Sequence, residues 1–286
     1  RGLVGSEMCI RDRFKDDVRK QIAKAKNESM PLYSVSLGDL SWDSWWYQNS
    51  YSIENYCRTM EDLDIPIYNI PGNHDNDPYV PDDFKSENAF RKWIGPTYYS
   101  FNVGDIHYIM MDNTIFRNSG ASEGVLGDVQ DYSEGLTANE MKWLEADLAN
   151  VPAGSTVFVG MHIQYTGRPS KSSDGSFKFA YAFPAESRSD IVRLLEPFNV
   201  HFITGHTHVN YTNQISDKMI EHNIAAVCAT WWWTGYYTSN RAHTCRDGAP
   251  GGYKLFDVAE DGSVSWLYKP MMRDASYQFR VYDLNN

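Results

Sequence analysis

The sequence predicts an α/β fold with mainly parallel strand pairing. Three observations predict it. Short β-prone runs alternate with stretches of helical periodicity. Several of those runs end directly in glycine and then in a residue able to bind a metal. Beyond Asn223 the helical periodicity stops and the text turns β-like.

Residues 14–27 carry Phe14, Val18, Ile22 and Ala25 at helical spacing, which predicts an amphipathic helix. Residues 32–37 form a short β-prone run ending at Gly38-Asp39. The aromatic stretch 40–47 that follows is a loop or a helix start. A helix over 53–63 leads into an apolar run, 65–70, that reads as a buried strand and ends at Gly72-Asn73-His74-Asp75. Residues 84–94 predict another helix. Residues 98–103 and 106–111 alternate around Gly104-Asp105, a hairpin signal.

Residues 118–134, rich in Gly, Ser and acids, predict a long loop. Thr137 and Glu140 form a capping box for a helix that turns Met141, Leu144 and Leu148 inward. A strand is expected over 156–161, a polar and aromatic active-site loop over 165–185, a helix over 187–198 and a strand over 200–204. In the tail, strands are expected over 224–228, 253–258, 264–268 and 278–282, with a turn at Asp261-Gly262.

The chain has 286 residues, 42% of them hydrophobic and 14% aromatic, enough for one large domain with a small appendage. Its net charge is −11 and it has no basic block, which disfavours nucleic acid and anionic membrane as partners. A phosphate substrate remains compatible, because bound divalent ions can reverse the local field. Cys9, Cys57, Cys228 and Cys245 are scattered and support neither a zinc knuckle nor a disulfide framework. No apolar run is long enough for a transmembrane segment. Residues 1–13 lack an initiator Met, a signal-like apolar region and periodicity. They resemble translated sequencing-adapter read-through and are expected to be non-native, the alternative being a genuine loop.

In open α/β sheets, sites form beyond the carboxyl ends of strands. Asp39, Asn73 and His162 each follow a different predicted strand, and His206 and His208 follow a fourth. A carboxylate, a neutral amide oxygen and imidazoles together suit hard and borderline divalent cations. Gly38 and Gly72 allow a sharp turn between strand and ligand. Two ions about 3.5–4 Å apart can clamp a phosphoryl group and lower the pKa of a bridging water, giving hydroxide for in-line attack. His74 is not needed as a ligand and is free to protonate the leaving oxygen, with Asp75 orienting it.

Gly38-Asp39, Gly72-Asn73-His74-Asp75, His162 and Gly205-His206-Thr207-His208, in this order, resemble the calcineurin-like metallophosphoesterase family. The likeness covers residues 14–230. It implies an αββα four-layer sandwich and two divalent metal ions (Mn, Fe or Zn). Asp39 would bridge them, Asn73, His162 and His206 would hold one, and His208 the other. His74 would be the proton donor. Residues 229–235 and then 245–253 resemble the C-terminal segment of bacterial members, which normally continues further, so residues 231–286 are expected to be a small and incomplete β segment. Family likeness also favours an extracytoplasmic location.

One departure stands out. The family opens with Asp-x-His on its first strand, where it helps Asp39 and His208 hold one metal, and none precedes Gly38-Asp39 here. This chain is therefore expected to bind one ion well and the second poorly, with impaired activity. The single Asp-x-His, at Asp105-Ile106-His107, comes after Asn73 and is taken as structural. The expected function is a metal-dependent hydrolase acting on phosphomonoesters or phosphodiesters, with a small-molecule, lipid or sugar phosphate as substrate. The alternative is a non-catalytic metal- or ligand-binding protein on the same scaffold. Tyr165, Arg168 and Trp231 are candidate substrate contacts. Asp43 is a second-layer or N-cap candidate, and His201, His222 and His243 are taken as structural or surface residues.

Overall fold

The computed structural model describes residues 3–41, 52–117, 131–227, 245, 247–271 and 273–279. At its centre lies a six-stranded mixed sheet. In chain order its strands are β3 (Tyr99–Val103), β4 (Ile106–Met110), β7 (Thr156–Met161), β10 (Asn199–Thr204), β11 (Tyr211–Ser216) and β12 (Met219–Asn223). In space the order is β11-β12-β10-β7-β4-β3. The four inner strands are parallel and both edges are antiparallel. β7 is buried along its whole length, as a parallel strand covered on both faces must be.

Each face has its own cover. Helices α5 (Ala138–Leu148) and α6 (Ala185–Leu195) lay Leu144, Leu148, Ile191 and Leu195 on Ile109, Val157, Val159, Val200 and Phe202. The opposite face meets a small parallel pair, β1 (Ser34–Ser36) with β2 (Ile67–Asn69), and a hairpin, β13 (Gly252–Val258) with β14 (Val264–Pro270). Val35, Phe256, Val258 and Val264 pack there against Tyr108, Met110, Phe158 and Ile203. Outside the small pair lies helix α1 (Leu3–Asn27), whose Val18 and Ile22 cover Leu63 and Ile67. The layers therefore run helix, small sheet, large sheet, helix, which is the expected αββα sandwich.

A row of rings crosses the interface between the two sheets. Tyr68 stacks on Phe101 (centroids 3.6 Å apart), Phe101 on Tyr108 (5.0 Å), Tyr108 on Phe158 (5.1 Å), Phe158 on His201 (5.1 Å) and His201 on His222 (5.4 Å). Three of these contacts are directly opposed pairs in the sheet register. Cross-strand ring pairs of this kind fix register as well as contributing stability.

Several expectations change. The stretch 3–13, which has no clear periodicity, continues helix α1. The helix expected over 84–94 is broken into α3 (Asp83–Ser86) and α4 (Asn88–Trp93). The break sits where the Ser86 hydroxyl engages Asn76 and the Asp83 carbonyl. Two short pieces escape loop assignments. Tyr132–Glu134 (β6) pairs with Thr114–Phe116 (β5), and the expected active-site loop over 165–185 holds a hairpin, β8 (Thr166–Lys171) and β9 (Phe177–Tyr181). The strand expected over 224–228 lies instead at β12, whose Glu221, His222 and Asn223 are fully buried. Polar composition hid a central strand, because its polar groups are satisfied internally rather than by water. The strand expected over 278–282 is not formed at 278–279, and its remaining residues lie outside the described set. Asp43, His243 and Trp231 also lie outside it. His107, on β4, lies 2.8 Å from Asn102 Oδ1 and 2.8 Å from Asp147 Oδ2, joining β3, β4 and α5.

Among the described residues no helix is long and apolar enough to cross a membrane.

Candidate metal centre

The carboxyl ends of β1, β2, β7 and β10 converge at one corner of the molecule. Asp39 follows β1, Asn73 follows β2, His162 directly follows β7, and His206 follows β10. Ligand atoms of Asp39, His162 and His206 lie within 4.8 Å of one another. His162 is the hub. Its Nε2 lies 3.0 Å from Asn73 Oδ1, 3.2 Å from His206 Nδ1 and 3.3 Å from Asp39 Oδ1. Its Nδ1 lies 2.6 Å from the Leu37 carbonyl oxygen, which can only accept. Nδ1 therefore carries a proton, and in the neutral ring the Nε2 lone pair converges with the Asp39 and Asn73 side-chain oxygens, as ligands around a cation do.

The backbone is bent to achieve this. Among the described non-glycine residues only Ser29, Asp39, His206 and His208 have positive φ, at 55°, 55°, 61° and 56°. Three of the four are predicted ligands. Left-handed backbone at such residues is unfavourable and tends to collect at functional sites. Two glycines make the close approach possible. A Cβ on Gly72 would lie 2.3 Å from Asp39 N and Oδ1, and one on Gly38 would lie 2.6 Å from His162 Nδ1.

Charge is distributed accordingly. Burial opposes ionisation of Asp39, but His162 and His74 beside it hold its carboxyl below the usual carboxylate range. Burial also disfavours a charged His162, yet Asp39 pulls its pKa up. His206 is pushed down to about 4 by burial and by His162, so it stays neutral and available as a donor. The donor chemistry, the clustering and the glycine cradle all fit divalent metal ions.

The Asn73-His74-Asp75 segment is a single 3-10 turn. Its His74 N–H donates to Asp39 Oδ1 (3.1 Å), and the half-buried imidazole acts electrostatically on both Asp39 and His206. Asp75, expected to orient His74, is buried. Its carboxylate accepts from the backbone N–H groups of Gly72 (2.8 Å), Ser41 (2.8 Å) and Leu40 (3.2 Å), and from the Ser41 hydroxyl (2.9 Å). Asp75 thus clasps the Asp39 loop to the Asn73 loop. Burial and the nearby Asp39 raise its pKa to about 6.

His208 lies on the same strained turn as His206, half-buried, outside the close group of three. Tyr165 is corrected from substrate contact to core residue. It is 1% exposed and stacks on Phe202 at 5.0 Å. Arg168 lies on β8. Tyr132, not singled out from sequence, sets its ring edge-on to His206 at 6.3 Å. Also missed was the buried clamp of Asn113, which accepts from Ile163 N (3.0 Å) and donates to Ile163 O (2.6 Å) directly after His162. A lone asparagine after a strand carries no sequence signal of that role.

Fold and donor set together define an αββα protein whose strand ends carry a site fit for divalent metal ions. Residues 12–210 match the family model described as calcineurin-like phosphoesterase, and residues 221–286 match the model for the C-terminal part of calcineurin-like phosphoesterases. The chain belongs to the calcineurin-like phosphoesterase family. Among solved structures it is similar to a purple acid phosphatase from yellow lupin (Lupinus luteus) seeds, at 16% identity and a TM-score of 0.52, over 97% of this chain and 48% of that one. It is also similar to a dimetal phosphatase from Danio rerio (13% identity, TM-score 0.49, 74% of this chain and 77% of that one). A 5'-nucleotidase from Candida albicans gives 10% identity and a TM-score of 0.46, over 93% of this chain and 47% of that one. The chain thus spans about half the length of the lupin and Candida proteins. No curated protein matches the sequence.

Proposed function

We propose that the protein hydrolyses a phosphate ester at a centre of two divalent ions, Mn, Fe or Zn. Asp39, Asn73, His162 and His206 would hold one ion, and His208, with Asp39 bridging, the other. Bound ions would supply Lewis acidity to the phosphoryl oxygens and an activated water. His74 would protonate the leaving oxygen, since it stands on the Asn73 loop beside Asp39 without a place in the close ligand group. Asp75 fixes the loop that carries both Asn73 and His74. The net charge of −11 favours a small phosphate ester over a nucleic acid strand.

The observation that carries this reading is the approach of Asp39, His162 and His206 donor atoms to within 4.8 Å of one another from three strand ends. The test is hydrolysis of an aryl phosphate and a bis-aryl phosphate with Mn²⁺, Fe²⁺ or Zn²⁺ supplied in turn. Metal-dependent turnover that Asp39→Asn abolishes is expected. Turnover unaffected by chelation, or equal in Asp39→Asn, would overturn it.

A further inference from the structure

The turn bearing His206 and His208 is strained at both histidines, so something must hold it. Asn223, the last residue of β12, holds it through its side-chain amide. In the sheet register Asn223 stands opposite Thr204, the last residue of β10. It is fully buried. Its Nδ2 donates to the Gly205 carbonyl (2.7 Å) and to Thr204 Oγ1 (3.0 Å), while its Oδ1 accepts from the Thr207 hydroxyl. One amide therefore grips the backbone just before His206 and the side chain just after it.

Two residues back on the same strand face, Glu221 extends the brace. Its Oε1 accepts from Thr204 Oγ1 (2.9 Å) and from Tyr165 N (2.7 Å), and its Oε2 accepts from Thr166 N (2.8 Å) and the Thr166 hydroxyl. Through Thr204, the turn carrying His206 is tied to the segment that follows His162. Left-handed residues persist only where their surroundings over-determine them, and a satisfied buried amide does that here.

We infer that Asn223 is a positioning residue of the metal centre, holding the 205–208 turn in the conformation that aims its two histidines. This rests on the metal-centre reading above. The 205–208 turn and Asn223 belong to different stretches of sequence, so Asn223 also couples the centre to the strand that leads into the C-terminal part.

Two measurements on Asn223→Ala test it. In metal-free protein, amide hydrogen exchange over 205–208 should quicken at least about tenfold while β7 amides stay protected. Affinity for Mn²⁺ or Zn²⁺, read by competition with a chromophoric chelator, should fall about 10–100-fold. If Asn223→Ala does not fold, Thr207→Val decides, because it breaks the same contact from the turn side and leaves β12 intact. Loss of melting temperature with unchanged exchange at 205–208 and unchanged metal affinity overturns the inference. A wild-type protein that binds no metal would sink the metal-centre reading alone. The exchange measurement would then still decide whether Asn223 holds the turn.

Discussion

His162 Nδ1 lies 2.6 Å from the Leu37 carbonyl oxygen, across 125 residues of sequence. The contact makes β1 a template for the imidazole that follows β7, fixing which nitrogen carries the proton and which faces Asp39, Asn73 and His206. His162→Gln would keep bulk but lose this two-sided geometry. Metal affinity should fall by about 10–100-fold or more, measured by chelator competition, with the fold retained by circular dichroism.

Gly72→Ala tests the cradle. The new methyl would sit 2.3 Å from Asp39 N and Oδ1, backbone as well as side chain, so the two loops must part. We expect a loss of about 1–3 kcal/mol in unfolding free energy together with weakened metal binding. An equally stable Gly72→Ala protein with wild-type metal affinity would contradict the cradle.

His74→Ala separates chemistry from binding. A proton donor outside the ligand group should lower kcat by about 10²–10⁴ while leaving metal content unchanged. Substrates with strongly acidic leaving groups should be least affected, since they need no proton. A parallel loss of metal would instead make His74 a ligand.

Acidic conditions should loosen the hairpin β13–β14. It lays Phe256 and Trp266 over His222 and His201, whose facing nitrogens are 3.1 Å apart. Burial lowers both imidazole pKa values, His201 to about 4, and Lys254 on β13 lowers His222 further. Depressed bases are neutral in the fold and charged in the unfolded chain. Their stabilisation is therefore complete above the ordinary histidine pKa of about 6.5 and is lost as pH falls below it. Hydrogen exchange over 252–270 should accelerate between about pH 6.5 and 4, and His222→Phe should blunt the effect.

Glu140 gives the opposite slope. Burial, with Glu87 and Asp83 nearby, raises its pKa to about 7, so the fold favours its protonated form. The stabilisation present at low pH is lost as pH rises from the ordinary glutamate value towards 7. Glu140→Gln, which can still cap α5, should flatten this fall in denaturant titrations at pH 5 and pH 8.

Much of this was legible in the text, for physical reasons. Parallel strands buried on both faces are continuously apolar, so 156–161 stood out, and the glycine-flanked ligands at strand ends needed no packing information. The buried polar strand β12 was not legible. Glu221 and Asn223 look like surface residues until Thr204, Thr166 and the 205–208 turn supply their partners. Tyr165 misled for the converse reason: proximity to His162 in sequence suggested a pocket, while the bend between β7 and β8 sends its ring into the core against Phe202. Asp75 was legible as part of the motif, but its clasp on Gly72, Leu40 and Ser41 depends on two loops meeting.

Asp39, His162 and His206 are proposed to share one cation. Anomalous diffraction from crystals soaked in Mn²⁺ tests this most directly. A strong peak bonded to all three side chains and to Asn73 Oδ1, lost in Asp39→Asn crystals, is expected. A map with no peak among them, or with manganese bound elsewhere only, would contradict it.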